Sequence, residues 1–193
     1  MQPAIFLDRD GTLNFDHGWI TSPAKIELLP GAAEAVRAIN QAGFLAVLVT
    51  NQPVIARGEV TLEQLAAINH KFESLLAQED AHLDAIYYCP HHPDAGVPGE
   101  RPEYKIRCRC RKPAPGLLED AARDLNIDVS HSWMIGDSER DLGAAAAFGI
   151  PAVLVSSNQQ SFKESVTSPC AFRANTVKEA VERILACAGQ PTP

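Results

Sequence analysis

The stretch AIFLDRDGTLN, Ala4–Asn14, decides the reading of this chain. Its first part, Ala4–Leu7, is a short apolar run of the kind that forms a buried strand. The run stops at two aspartates one residue apart, Asp8 and Asp10, followed at once by Gly11 and Thr12. Open α/β sheets bind their ligands beyond the carboxyl ends of the strands, so this acid pair stands where chemistry is done. Two carboxylates at close range repel. A hard divalent cation such as Mg²⁺, which takes oxygen ligands, is the simplest compensation. Asp and Gly also favour plain turns. Calcium loops carry a related Asp-x-Asp-x-Asp-Gly pattern, but they follow a helix and end in a glutamate. Here the preceding run is strand-like and the third acid is missing.

Working outward, strand-like runs alternate with helical patterns. Strands are expected at Ala4–Leu7, Phe44–Val49, Ala85–Tyr88, Trp133–Ile135 and Ala152–Val155. Helices are expected at Ala32–Gln41, Leu62–Gln78, Pro115–Leu125, Glu139–Phe148 and Val177–Ala186. Thr61 with Gln64 and Thr176 with Glu179 have capping-box spacing, and Gly43 and Gly149 stand where helices end. This alternation predicts an α/β fold: a Rossmann-like, mostly parallel sheet with helices on both faces. The segment Pro90–Arg109 fits no element and is long for a plain connection, so it needs a function or a staple. No role is read for Phe162–Arg173, and Gly189–Pro193 is expected to fray.

The 193 residues suit a single domain, 1–193, with a small insertion. A hydrophobic content of 46% is enough for a core. Seventeen basic against 24 acidic residues give a net charge of −7, which argues against general nucleic-acid or membrane-surface binding. No apolar stretch approaches the ~20 residues of a membrane helix. The first residues, MQPAIFLD, lack the basic and long apolar segments of a signal peptide. A soluble cytoplasmic protein is expected, with no nucleic-acid or membrane partner. No interaction helix is evident, which favours a monomer.

Four strand or helix boundaries carry polar groups in order. They are Asp8-Arg-Asp10-Gly-Thr, Thr50-Asn51-Gln52 after Val49, Arg111-Lys112-Pro113 before a helix, and Gly136-Asp137-Ser-Glu-Arg-Asp141. The carboxyl ends of parallel strands share one edge. These segments can therefore converge as carboxylates for a cation, a hydroxyl and amide for phosphate oxygens, and a fixed positive charge. Asp141, one helical turn after Asp137, reads as an acid orienting Lys112 or a water, or as a surface charge.

The cysteines are uneven. Cys89, Cys108 and Cys110 fall in or at the edge of the unassigned segment, while Cys170 and Cys187 stand alone and are expected to be small buried residues. An odd count in such a chain favours metal binding or free thiols over a disulfide framework. Three thiols with a histidine from Cys89-Pro-His91-His92 make a closed tetrahedral Zn²⁺ set. The one-residue spacing in each half is tighter than usual and does not choose between His91 and His92. Such a clip, residues 89–110, would fix Arg111 and Lys112 beside the acids.

Together these motifs resemble the haloacid dehalogenase superfamily of phosphohydrolases, from Asp8 to Asp141. The resemblance implies Asp8 as nucleophile, forming an aspartyl phosphate, and Asp10 as general acid/base. It implies Thr50 and Lys112 as holders of the phosphoryl oxygens. Mg²⁺ would be bound by Asp8, Asp137 and the Asp10 carbonyl. Tyr88-Cys-Pro-His-His-Pro93 and Cys108-Arg-Cys-Arg-Lys-Pro113 are similar to the superfamily branch that removes the 7-phosphate of D-glycero-D-manno-heptose 1,7-bisphosphate. Asn14–Trp19 and Ala56-Arg57-Gly58 also look like that branch. What this implies is a small phosphorylated sugar substrate, destined for nucleotide-activated heptose and lipopolysaccharide. It also implies zinc on Cys89, His91, Cys108 and Cys110, and a zinc loop in place of a large cap domain. Substrate contacts are expected from Asp16, His17, Gly18, Trp19, Thr50, Asn51, Gln52 and Pro53, with Arg111 and Lys112. The branch commonly has Ser-Gly where this chain has Pro53-Val54; proline removes a donor and stiffens the loop, which leaves the α or β anomer open. Histidinol-phosphate phosphatases resemble the same catalytic and zinc patterns, and Asp16–Trp19 favours the sugar. A zinc-stapled, non-catalytic binding protein is a rival of another class, opposed by the complete catalytic set and the net charge.

Overall fold

The computed structural model describes residues 1–94, 96, 98–156, 168 and 170–188. The chain runs β1 (Ala4–Leu7), α1 (Ala32–Gln41), β2 (Leu45–Asn51), α2 (Leu62–Ala77), β3 (Ala85–Cys89), α3 (Gly116–Asp124), β4 (Trp133–Gly136), α4 (Glu139–Phe148), β5 (Ala152–Val155), β6 (Phe172–Ala174) and α5 (Val177–Ala188). The strands form one sheet in the order β3-β2-β1-β4-β5-β6, and every pairing is parallel.

Period-two alternation in β1 sorts the core into two layers. Ile5 and Leu7 point to the face covered by α1, α2 and α5, where Val36, Ile39, Ile68, Phe72, Val181 and Ile184 pack. Ala4 and Phe6 point to the opposite face, against Leu117, Leu118 and Ala121 of α3 and Leu142 of α4. Every β1 side chain is fully buried, which is why the run reads as continuous rather than alternating apolar. The α/β architecture with helices on both faces is as expected.

Strand order reverses at β1, whose neighbours are β2 on one side and β4 on the other. Such a switch point opens a crevice at the carboxyl edge. The Asp8 N–H donates to the Ile135 carbonyl at 3.0 Å, so the chain leaving β1 stays stitched to β4 one residue beyond the strand.

Some expectations shift. Cys187, expected to be buried, is exposed near the end of α5, and Cys170 is only half-buried. β2 continues through Thr50 and Asn51, which pair with Tyr88 and Cys89 of β3. These groups therefore sit in the last rungs of the sheet rather than in a turn after it. The Thr61–Gln64 box forms in both directions. The second box is only half made: Thr176 caps the Glu179 N–H, while the Glu179 carboxylate accepts from the Asn175 backbone and side chain. β6 falls in a segment for which no element was expected. It has three residues, and Arg173 between Phe172 and Ala174 hides the apolar pattern. Gly189–Pro193, expected to fray, and most of the segment before β6 lie outside the described residues. Among the described residues no helix is long and apolar enough to cross a membrane.

Candidate active site and metal-binding cluster

A cavity of about 320 Å³ opens at the switch point, within the range of small-ligand sites. It is lined by all four motifs: Asp8 and Asp10, Thr50–Pro53, Arg111 and Lys112, and Asp137 with Asp141. Asp16, Gly18 and Trp19 close one side. His17 does not line it: its ring stacks on Phe15 and its Nε2 lies 3.0 Å from Glu27.

Lys112 is the centre of the charge arrangement and is 2% exposed. Its ammonium donates to Asp8 Oδ1 at 2.9 Å, Asp141 Oδ1 at 2.5 Å and the Val49 carbonyl at 2.7 Å. Those three acceptors match its three N–H groups. Burial alone would lower this lysine; Asp141 and Asp8 outweigh it and hold the ammonium above its ordinary range. The backbone is fixed as well. The Asn51 amide donates to the Lys112 carbonyl and accepts from the Lys112 N–H, both at 3.0 Å. Asn51, expected as a substrate contact, thus clamps the lysine to the end of β2.

Asp141 is 1% exposed, which excludes the surface-charge reading. Its second oxygen accepts from the Ser138 N–H and hydroxyl, at 3.1 and 2.6 Å. Gly136 makes room for it, since any Cβ there would run into the Asp141 carboxyl group. The Gly-Asp of the fourth motif is therefore a packing requirement as well as a turn.

The carboxylates of Asp8, Asp137 and Asp141 converge with ligand atoms all within 4.8 Å of one another. Burial, with repulsion from Asp8 and Asp141, pushes the Asp137 carboxyl up to about 8. Burial opposed by Lys112 leaves Asp8 raised to about 6. One lysine does not balance this cluster, and a divalent cation fits it. Asp141, with both oxygens already occupied, is the member least free to ligate.

Asp10 faces a different set. Arg9 Nε and Nη2 donate to its two oxygens at 3.0 and 2.8 Å. Gln52 Nε2 donates to Asp10 Oδ2 at 3.1 Å and to Thr50 Oγ1 at 2.9 Å, tying the acid to the hydroxyl of the second motif.

On the side of the 16–19 loop, the Asp16 carboxylate accepts from the Gly18 N–H at 2.9 Å, in a turn whose φ of +82° at Gly18 favours glycine. Trp19 is 45% exposed, and the Arg57 guanidinium lies 4.6 Å from its ring centre. The sequence reading missed His92, Ser138 and Arg140 as lining residues. Ser138 and Arg140 had a signal, their place inside the fourth motif. His92 had one in its pairing with His91. Burial, then Arg111, lowers the His92 imidazole.

Beside the cavity, Cys89, His91, Cys108 and Cys110 bring their ligand atoms together. The sulfurs are 3.2–3.5 Å apart, and His91 Nδ1 is 3.7 Å from Cys89 and 3.4 Å from Cys110. A disulfide would need about 2.05 Å. Ligands around a tetrahedral zinc, at about 2.3 Å for sulfur, stand about 3.8 Å apart, close to what is found. Hydrogen bonds with Cys89, Cys108 and His91 bring the Cys110 thiol down to about 5, while its bond to Cys110 and burial push Cys89 up. The His91 carbonyl accepts from Arg111 Nη1 at 3.1 Å, joining the cluster to the cavity wall. His92 is not in the cluster.

Comparison with known proteins is consistent across sequence and structure. The HAD-hydrolase-like family profile matches residues 109–180. The chain is 46% identical over 148 residues, 77% of each chain, to D-glycero-beta-D-manno-heptose-1,7-bisphosphate 7-phosphatase of Yersinia pestis. It is 45% identical over 77% of its length, and 75% of the relative's, to the Escherichia coli K12 protein of the same name. Its fold superposes with a TM-score of 0.78 on a D,D-heptose 1,7-bisphosphate phosphatase from B. bronchiseptica, solved with magnesium and phosphate. That pair is 35% identical, covering 95% of this chain and 98% of the other.

Proposed function

The chain belongs to the family of D-glycero-beta-D-manno-heptose-1,7-bisphosphate 7-phosphatases within the HAD-like hydrolases, and we propose that it removes the 7-phosphate of that sugar through a phosphoryl-enzyme on Asp8. The observation that carries this reading is the contact of Lys112 with Asp8 at 2.9 Å on the floor of a cavity shared by all four motifs. A carboxylate attacks an anionic phosphate only when charge is neutralised, and phosphoryl transfer depends mainly on such positioning and electrostatics.

In the first half-reaction an Asp8 oxygen bonds to phosphorus while the bond to the sugar oxygen breaks. Asp10 gives that oxygen a proton. In the second, Asp10 takes a proton from water as the water attacks phosphorus, and the bond to Asp8 breaks to release phosphate. Lys112, already fully hydrogen-bonded, acts by its fixed charge. Thr50, tied to Asp10 through Gln52, presents its hydroxyl to the phosphoryl group. The carboxylates of Asp8 and Asp137 with the Asp10 main-chain carbonyl would hold Mg²⁺, which when bound supplies positive charge to the phosphoryl oxygens. Zinc on Cys89, His91, Cys108 and Cys110 would be structural, fixing Arg111 and Lys112. Asp16, Gly18, Trp19 and Pro53 face the sugar, with Arg111 toward its second phosphate. The product would feed nucleotide-activated heptose for lipopolysaccharide. The enzyme acts as a cytoplasmic, single-domain monomer without nucleic-acid or membrane partners.

The test is a phosphatase assay with Mg²⁺ on both anomers of heptose 1,7-bisphosphate and on histidinol phosphate. The β anomer, for which the relatives are named, is expected to have the highest kcat/KM. A preference for histidinol phosphate would overturn the sugar assignment, and a preference for the α anomer would overturn the anomer.

A further inference from the structure

Arg9 stands between the nucleophile and the acid/base, and its side chain is 0% exposed. A guanidinium stays charged at any ordinary pH, and a buried charge without a partner is costly. Its partner is Asp10. Nε and Nη2 make two near-parallel bonds, one to each carboxylate oxygen, so the fork fixes the plane of the carboxylate as well as its place. The third nitrogen, Nη1, reaches Asn69 of α2 at 3.4 Å. The main chain of Arg9 is pinned too: its carbonyl accepts from the N–H groups of Thr12, Leu13 and Asn14. Neither end of Arg9 can shift without breaking the turn that follows β1.

Two further contacts complete the setting of Asp10. Asn14 Nδ2 adds a bond to Oδ1 at 3.3 Å, and Gln52 adds one to Oδ2. Four donor contacts hold this carboxylate, two on each oxygen, while 23% of the side chain remains exposed and lines the cavity. A proton on Asp10 takes the place of one of them, and the 3.3 Å bond from Asn14 is the longest and most easily given up. Arg9 lies behind Asp10, out of reach of solvent, and its role in the chemistry is therefore exerted through Asp10.

We propose that Arg9 is a positioning residue for the acid/base: its buried fork aims Asp10 at the oxygen of the departing sugar. The proposal rests on the reading of Asp10 given above. It has a consequence that a merely structural arginine lacks. A sugar alkoxide must receive a proton as its bond to phosphorus breaks, whereas a p-nitrophenolate leaves without one. Misaiming Asp10 therefore slows attack on the sugar phosphate and spares attack on the aryl phosphate.

The experiment is rapid-quench measurement of phosphoryl-enzyme formation in the full-length, metal-loaded protein. Heptose 1,7-bisphosphate and p-nitrophenyl phosphate are compared for Arg9→Met, Arg9→Lys and Asp10→Asn. Positioned acid catalysis contributes 10²–10⁴-fold, so Arg9→Met should lower the sugar phosphorylation rate about 100-fold and leave the p-nitrophenolate burst within about threefold. Arg9→Lys keeps the buried charge but not the two-nitrogen fork, and should show the same split at about tenfold. It carries the test if Arg9→Met does not fold. Equal losses on both substrates, or none on either, would overturn the proposal. Asp10→Asn separates the two levels. If it keeps the sugar phosphorylation rate, the acid/base reading fails; if it shows the split and the Arg9 variants do not, only the role of Arg9 falls.

Discussion

Asp141 accepts the Lys112 ammonium on one carboxylate oxygen, at 2.5 Å, and both the N–H and the hydroxyl of Ser138 on the other. The first turn of α4 is thereby locked to a lysine that also touches Asp8. Both partners are at most 2% exposed, so the pair is held by geometry rather than screened by water. Removing one partner of a buried pair leaves an under-compensated charge. Asp141→Asn is expected to cost about 3 kcal/mol in urea unfolding. It should also lower kcat on the order of 10–100-fold, as loss of a group orienting a functional residue does. Unchanged stability would mean that Asp8 alone suffices for Lys112.

Asp8→Asn should behave in the opposite way toward stability. Burial disfavours the Asp8 carboxylate, which is why it titrates near 6 despite Lys112. At neutral pH the fold works against that charge, and an amide relieves the conflict. The variant is expected to lose turnover entirely while melting at the parent temperature or above it, by differential scanning calorimetry. Residual hydrolysis at the parent rate would remove Asp8 from the mechanism.

The same carboxylates give the metal dependence a sign. Asp8 and Asp137 are raised from 3.8 to about 6 and about 8 in the folded protein. Without Mg²⁺ the native state therefore holds more protons than the unfolded chain between those limits. Stability from these groups is complete below 3.8 and is lost as pH rises through 6 and 8. The slope is at most about 1.4 kcal/mol per pH unit for each group. A bound cation takes the place of those protons. Thermal melts with and without saturating Mg²⁺ should show a stabilisation that grows from about pH 5 to about pH 8. A shift by Mg²⁺ that is equal across this range would place the ion elsewhere.

The cysteine cluster predicts about one equivalent of zinc per chain by metal analysis of fresh protein. Cys110→Ser removes a thiol that contacts all three other ligands. The variant should bind less zinc and melt lower. It should also lose activity, because Arg111 and Lys112 follow Cys110 directly in the chain. Full activity in zinc-free protein would separate the cluster from the active site.

What could be read in advance follows from distance along the chain. β1, β2 and β4 were legible because an uninterrupted apolar run ends in a polar motif within a few residues. The meeting of the motifs followed from parallel topology, which places strand ends on one edge. Relations between distant residues were not legible. Asn51 reads as a substrate contact, and it lines the cavity, but nothing in the pattern shows that it also grips the backbone of Lys112, 61 residues away. Gln52 reads the same way and also lines the cavity, while the bridge its amide makes between Asp10 and Thr50 leaves no trace in the pattern. Arg9, in the middle of the most telling motif, carries no pattern at all, since a lone arginine is ordinarily solvated. β6 escaped for a local reason: three residues with an arginine at the centre present no run.

Trp19 makes a last prediction that concerns the cavity rim. Its ring is 45% exposed and lies 4.6 Å from the Arg57 guanidinium, a contact that holds a flat apolar face beside the cavity. A cation–π pair at such a site contributes about 1 kcal/mol, and losing it together with the apolar face should raise KM about fivefold in Trp19→Ala. The Asp8–Lys112–Asp141 arrangement is built from other segments, so kcat and inhibition by inorganic phosphate should stay close to the parent. Steady-state kinetics with phosphate as a competitive inhibitor checks both. If the inhibition constant for phosphate rose in step with KM, Trp19 would be acting on the phosphoryl centre rather than on the sugar.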